Sequence, residues 1–112
     1  MIIYHSSLVT ALQGAGYPVY FEKFDTEKTL PCYTYMEVAN VDLAVGDTLS
    51  YSEVAFQVKA WGRTISEAAT LAAAADTILK SLGFKRTFSF DTIDGDLCVK
   101  VMRYNGLGLE RQ

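Results

Sequence analysis

The sequence predicts a single α+β domain, a mainly antiparallel sheet with two helices packed on one face, in the order α-β-β-β-α-β-β. Three observations predict it. Two segments, near 2–14 and 64–82, repeat their apolar residues at helical spacing. Several others alternate apolar with polar residues, or are rich in aromatic and β-branched types. These strand-like segments follow one another through short turns instead of alternating with helices, which favours antiparallel neighbours. With 112 residues, 50% of them hydrophobic, the chain has the material for one core.

Ile2, Ile3, Leu8, Val9 and Leu12 place the first helix at 2–14, stopped by Gly14 and Gly16 and by Pro18 beyond. "VYFEKF" reads as a short strand, "DTEKTLP" as a loop ending in Pro31, and "CYTYMEVA" as the second strand. "NVDLAVGDTLS" has turn residues at both ends, yet Val41, Leu43, Ala44, Val45 and Leu49 are apolar. It reads either as a loop that packs on something or as an extension of its flanking strands into a long hairpin. In "YSEVAFQVKAW", Val54, Phe56, Val58 and Ala60 form a core face, and the other face is polar apart from Tyr51 and Trp61. The likeness of "YMEVA" to "YSEVA" is a single five-residue match and no repeat.

Thr64 and Glu67 make a capping box at the start of the second helix, and Gly83 ends it with Lys80 in its last turn. "KRTFSFDTI" and "LCVKVMRY" are strands joined through "DGD", whose Asp and Gly tolerate the positive φ of hairpin turns. The Gly-rich tail, 107–112, is expected to be mobile. With both helices on one face, the second sheet face should be uncovered.

The net charge is −3 and no basic run occurs, so the clustered Lys and Arg that grip nucleic acid are missing. No segment approaches the ~20 apolar residues of a membrane span. The N-terminal stretch has no Lys or Arg before Lys23, unlike a secretory signal. The expectation is a soluble protein made and kept inside a cell. Cys32 and Cys98 stand alone, outside any CxxC or Cys/His cluster, and read as buried thiols, with a disulfide the alternative.

Catalytic patterns are weak. His5, the only histidine, adjoins Ser6 and Ser7, but adjacent helical residues point in different directions. Asp91, Asp94 and Asp96 crowd one hairpin without the Gly and distal Glu of a calcium loop, so they read as a solvated turn. "GAG" at Gly14 follows a helix, whereas a phosphate loop precedes one, and "VGDT" lacks its lysine. Cys98, with Lys100 two residues on, is a weak nucleophile candidate. No enzyme activity, cofactor or metal is expected.

The second helix carries more alanine than a core stripe needs. Ile65, Ala68, Ala72, Ala75, Leu79 and Leu82 complete that stripe, flanked by Leu71 and Ile78. Ala69, Ala73 and Ala74 fall outside it. They reflect either helix propensity or the close approach of a second surface. Together with Leu43, Ala44, Val45, Tyr51 and Trp61 they are the candidate oligomer or partner interface, and they favour self-association.

The run "VAFQVKAWGRTISEAATLAAAADTILKSLGFKRTF", the "DGD" hairpin and "VMRYNG" resemble the small tail-completion or tail-terminator (head-tail joining, neck) proteins of long-tailed phages and prophages. The resemblance rests on Phe56–Trp61, Ser66–Ala68, Leu82–Phe84, Thr87–Phe90 and Arg103–Gly106, and covers about half the chain well. It implies a non-enzymatic virion protein, assembled in the host bacterial cytoplasm into a homo-oligomeric, often hexameric, ring. That ring would contact tail-tube and head-connector proteins and let DNA pass through its lumen without specific binding. Another neck protein, head closure or adaptor, is the near alternative. A small α+β ligand-binding domain with a pocket between sheet and helices is the alternative from another class.

Overall fold

The computed structural model describes residues 4–21, 30–44 and 49–111. Its elements are α1 (Tyr4–Gln13), β1 (Val19–Phe21), β2 (Cys32–Ala44), β3 (Leu49–Gly62), α2 (Ile65–Ser81), β4 (Lys85–Asp94) and β5 (Leu97–Arg111), in the order the sequence predicts. They build one five-stranded sheet of order β1-β2-β3-β5-β4, in which only the short β1 runs parallel to its neighbour.

Strand alternation divides the side chains between two faces. Tyr33, Val54, Phe56, Val58, Ala60, Met102 and Tyr104 lie under the helices with Leu8 and Leu12 of α1 and Leu71, Ala72, Ala75 and Leu79 of α2. The small Ala72 and Ala75 let α2 lie close on the sheet, while each fully buried large side chain contributes about 1.5–3 kcal/mol. The closeness is sharpest at Gly62, where a Cβ would stand 2.8 Å from the backbone nitrogen of Ala68.

The ends of α2 follow from its sequence. The N–H of Glu67 donates to Thr64 Oγ1 at 3.1 Å, and the Glu67 carboxylate accepts from the N–H of Arg63 at 2.9 Å. The capping box therefore closes one residue before the cap. At the other end Gly83 has φ +94. Its N–H donates to the Lys80 carbonyl and that of Phe84 to the Leu79 carbonyl, a Schellman motif that also seats Phe84 on the core.

The structure corrects several expectations. Ile65 and Leu82 are exposed, 75% and 45%, because the buried stripe of α2 narrows to Ala68, Leu71, Ala72, Ala75 and Leu79. Residues 41–44 and 49 are strand, which fits the long-hairpin alternative for the described part of the apolar segment. The last strand is longer than the predicted "LCVKVMRY": β5 continues to Arg111 and pairs with β3 as far as Leu49. Beyond the last partners of β1 (Tyr35) and β4 (Asn105), β2, β3 and β5 run on as a three-stranded ribbon. The molecule is accordingly elongated, 50 × 25 × 22 Å, with a radius of gyration of 14.5 Å against about 13 Å for a compact chain of this length.

The second sheet face is not bare either. Cys32, Trp61, Val99 and Val101 are buried there, joined by Tyr20, Leu30 and Leu97, with Thr34 also buried. The Trp61 indole N–H donates to Thr34 Oγ1 at 2.9 Å, which satisfies both groups away from water.

Candidate assembly surfaces

Two surfaces flank β4, the edge strand of the sheet. The first is a ledge. α2 lies mainly over β3 and β5 and meets β4 less extensively, with Asp76 reaching Arg86. Between them runs a groove lined by Ala69, Ala72, Ala73, Asp76, Thr77, Arg86, Lys100 and Met102. Ala69 and Ala73 form its exposed wall. Ala74, on the opposite flank of the helix, is half-buried. The three outward alanines therefore divide between two sides. The Thr70 and Thr77 hydroxyls donate to the carbonyls of Ser66 and Ala73, which turns the helix's own polar groups back on its backbone.

Asp76 organises the groove. Its Oδ1 accepts from the Tyr104 hydroxyl at 2.7 Å and lies 3.5 Å from Arg86 Nη1, while Oδ2 lies 2.8 Å from Lys80 Nζ. Partial burial works to raise its pKa. The hydrogen bonds from Lys80 and Tyr104 and the charges of Arg86 and Lys80 outweigh that and hold the carboxyl below its usual range. Tyr104 is pushed strongly upward, by burial first and then by its bond to Asp76. Tyr33, whose hydroxyl donates to the Leu71 carbonyl at 2.6 Å, is pushed up to about 12 by burial and by the nearby Tyr17. Both tyrosines hold α2 to the sheet through neutral hydroxyls.

The second surface is aromatic. Phe88 and Phe90, 44% and 48% exposed, stack with ring centroids 5.9 Å apart on the outer face of β4. Arg103 reaches from β5, donating from Nε to Gln57 Oε1 at 3.0 Å and lying 5.1 Å over the Phe88 ring. In the sequence these phenylalanines fall within the predicted strand "KRTFSFDTI". The signal was present in "TFSF", since residues two apart on a strand share a face.

The residues singled out from sequence fall as follows. Ala69 and Ala73 meet on the ledge. Leu43, Ala44 and Tyr51 lie on the ribbon, with Leu43 paired to Tyr51, and their side chains lie outside the described residues, as does Val45 entirely. Trp61 is buried at 7% exposure, so its ring is committed within the chain. His5 lies on α1 with its side chain outside the described set. Cys32 and Cys98 are not joined in a disulfide; Cys32 is buried as expected, and Cys98 is only half-buried. Lys100 pairs with Asp91 at 3.5 Å. Among the described residues no three His, Cys, Asp or Glu side chains group as a metal site would require, and no helix is long and apolar enough to cross a membrane. A cleft of about 190 Å³ lies between the start of α2 and the β4–β5 hairpin, lined by Ile65, Ala68, Asp91, Thr92, Ile93, Cys98 and Val99. It is smaller than the ~300 Å³ at which ligand pockets begin.

With that geometry in hand, the comparisons are informative at the level of fold. Neither a scan of protein-family models nor a search of curated proteins gives a match. Among solved structures, the chain is similar to one from the virion of a native gene transfer agent particle. The TM-score is 0.64 with 13% identity, over 91% of this chain and 84% of that one. At that identity the likeness establishes the shared fold.

Proposed function

We propose that this chain is a non-enzymatic structural protein of a phage-like virion, acting as a ring-forming tail-completion or tail-terminator subunit at the head-tail junction. The observation that carries the reading is the fold-level match to a chain of a gene transfer agent virion across nine-tenths of this chain. Three features support it. The ledge and the Phe88–Phe90 pair offer surface suited to protein contact, aromatic and arginine residues being the usual anchors of interfaces. The three-stranded ribbon gives the subunit reach beyond its body. A net charge of −3 suits a lumen through which DNA passes without being held. On this reading the partners are further copies of the chain, tail-tube protein and head-connector proteins, and the site of action is the virion neck after assembly in a bacterial cytoplasm. The interface draws on Ala69 and Ala73, with Ala74 and the ribbon positions Leu43, Ala44, Val45 and Tyr51.

The test is assembly. Light scattering and electron microscopy of the purified chain, alone and with tail-tube protein, should show closed rings of one stoichiometry that limit tube growth. Ala73→Glu should abolish them while leaving the circular dichroism spectrum unchanged. A chain that stays monomeric under both conditions and leaves tube length unaltered would refute the reading. Rings that bind a head connector and ignore tubes would move the assignment to a head-closure or adaptor role.

A further inference from the structure

We propose that the β4 edge pairs antiparallel with β4 of a second copy about a two-fold axis, joining the two five-stranded sheets into one. β4 ends the sheet, and all its residues but Ser89 are exposed. An edge strand presents a row of N–H and C=O groups to any strand that complements its side chains. The pattern along β4 is specific: Lys85 and Arg86 at its start, Phe88 and Phe90 in the middle, Asp91 and Asp94 towards its end. An antiparallel partner runs in the opposite direction. It must therefore be acidic where β4 is basic and aromatic at the centre, and β4 itself meets that description. β1, the other edge, has three residues, Val-Tyr-Phe, and lacks this arrangement.

Register follows from the faces. Phe88 and Phe90 share the outer face, so a two-fold axis at Ser89 sets each Phe88 against the partner's Phe90 and the two Ser89 residues against each other. The irregularity between Arg86 and Phe88 skips Thr87 and returns Arg86 to the helix face, where Asp91 also lies opposite Lys100. Arg86 of one copy then stands beside Asp91 of the other, twice per dimer. Such a contact uses one patch against itself, as two-fold interfaces do. It is independent of the ring proposed above, which needs a head-to-tail contact.

The experiment is cross-linking of Ser89→Cys in a Cys98→Ser background, with Thr92→Cys as control, oxidised by copper phenanthroline. Facing strand residues stand about 4.5–5.5 Å apart at Cα, within disulfide reach. Thr92 lies on the order of 20 Å from its symmetry mate in this register. Covalent dimer from Ser89→Cys alone supports the pairing. Equal yields from both variants, or none from either, overturn it. Charge reversal gives an independent reading that leaves Ser89 intact. Arg86→Asp or Asp91→Arg alone should weaken the dimer about tenfold by sedimentation, and the two together should restore it. If the double variant is no tighter than the singles, the pairing is wrong. Rings formed by a Ser89→Cys chain that does not cross-link would sink this inference and spare the functional reading. Cross-linked Ser89→Cys dimers that never form rings would do the reverse.

Discussion

Gly106→Ala isolates one contact that holds β5 to the end of α2. Gly106 lies directly under the Phe84 ring, and a Cβ there would overlap it, with Cε1 at 2.7 Å. The ring has little room to retreat. Phe84 is 9% exposed and meets Phe56 edge-to-face at 4.9 Å, and Phe56 stacks on Tyr104 at 5.6 Å. Gly106 is not among the positive-φ glycines, so backbone strain plays no part. Strand propensity alone favours alanine by about 0.5–1 kcal/mol. Overpacking a filled site costs about 1–3 kcal/mol. The net expectation is a loss of ~1–2 kcal/mol, or about 4–8 °C in Tm for a chain of this size. Urea titration should give that loss with an unchanged m-value. The decisive measurement is the double-mutant cycle. Phe84→Ala alone should cost about 3–5 kcal/mol. In that background Gly106→Ala should be neutral or stabilising, because the methyl enters the space the ring vacated. Additive effects, or a Gly106→Ala protein as stable as the parent, would refute the packing argument.

Three further outcomes are expected. Tyr33→Phe removes the bond to the Leu71 carbonyl and should cost about 1 kcal/mol in urea titration, without changing assembly. Asp76 has a depressed pKa when folded, so it contributes stability above its unfolded pKa, near 3.8, that is lost as pH falls through the folded value. The stability gap between parent and Asp76→Asn, about 1 kcal/mol for a partly buried carboxylate with exposed cationic partners, should therefore vanish on acidification. Tyr33 and Tyr104 have raised pKa values, so their contribution is complete below pH 10 and lost as pH rises through their folded values. Tyr33 and Tyr104 should ionise late in an absorbance titration, together with loss of structure.

Local rules made the elements legible, and tertiary geometry decided what the sequence left open. The Thr64–Glu67 cap, the Gly83 stop and the Gly95 turn each rest on residues within a few positions of one another, and all three appear where the sequence placed them. The "LGF" and "RYNG" motifs read as separate signatures, yet Phe84 of one lies on Gly106 of the other. Their joint presence is a packing constraint that no local window reveals. The extent of the ribbon was hidden for a similar reason: glycines in "NGLGLERQ" argue for a free tail, whereas β3 pairs with β5 as far as Arg111. Trp61 read as a surface aromatic because Gln57 and Lys59, which share its strand face, are polar. Its partner Thr34 lies 27 positions away. The burial of Ile65 was overestimated because helical spacing gives a face without saying where the sheet beneath it ends.

The alanines and the phenylalanines, read apart in the sequence, meet at one strand. α2 covers β3 and β5, and its Ala69–Ala73 wall looks across the groove to the inner side of β4, where Arg86 stands. The outer side of β4 carries Phe88 and Phe90, and its edge has no neighbour among the described strands. A strand open on its outer face and along one edge is a liability for a solitary molecule, which would blunt it with proline or a covering element. Here the edge keeps ten residues without proline, two stacked aromatic rings and a charge order that complements itself. Among the described residues three exposed large apolar side chains, Phe88, Phe90 and Ile93, lie on this strand, where a partner strand would extend the sheet. That makes β4, ahead of the ribbon or the 190 Å³ cleft, the element whose variants should separate folding from assembly.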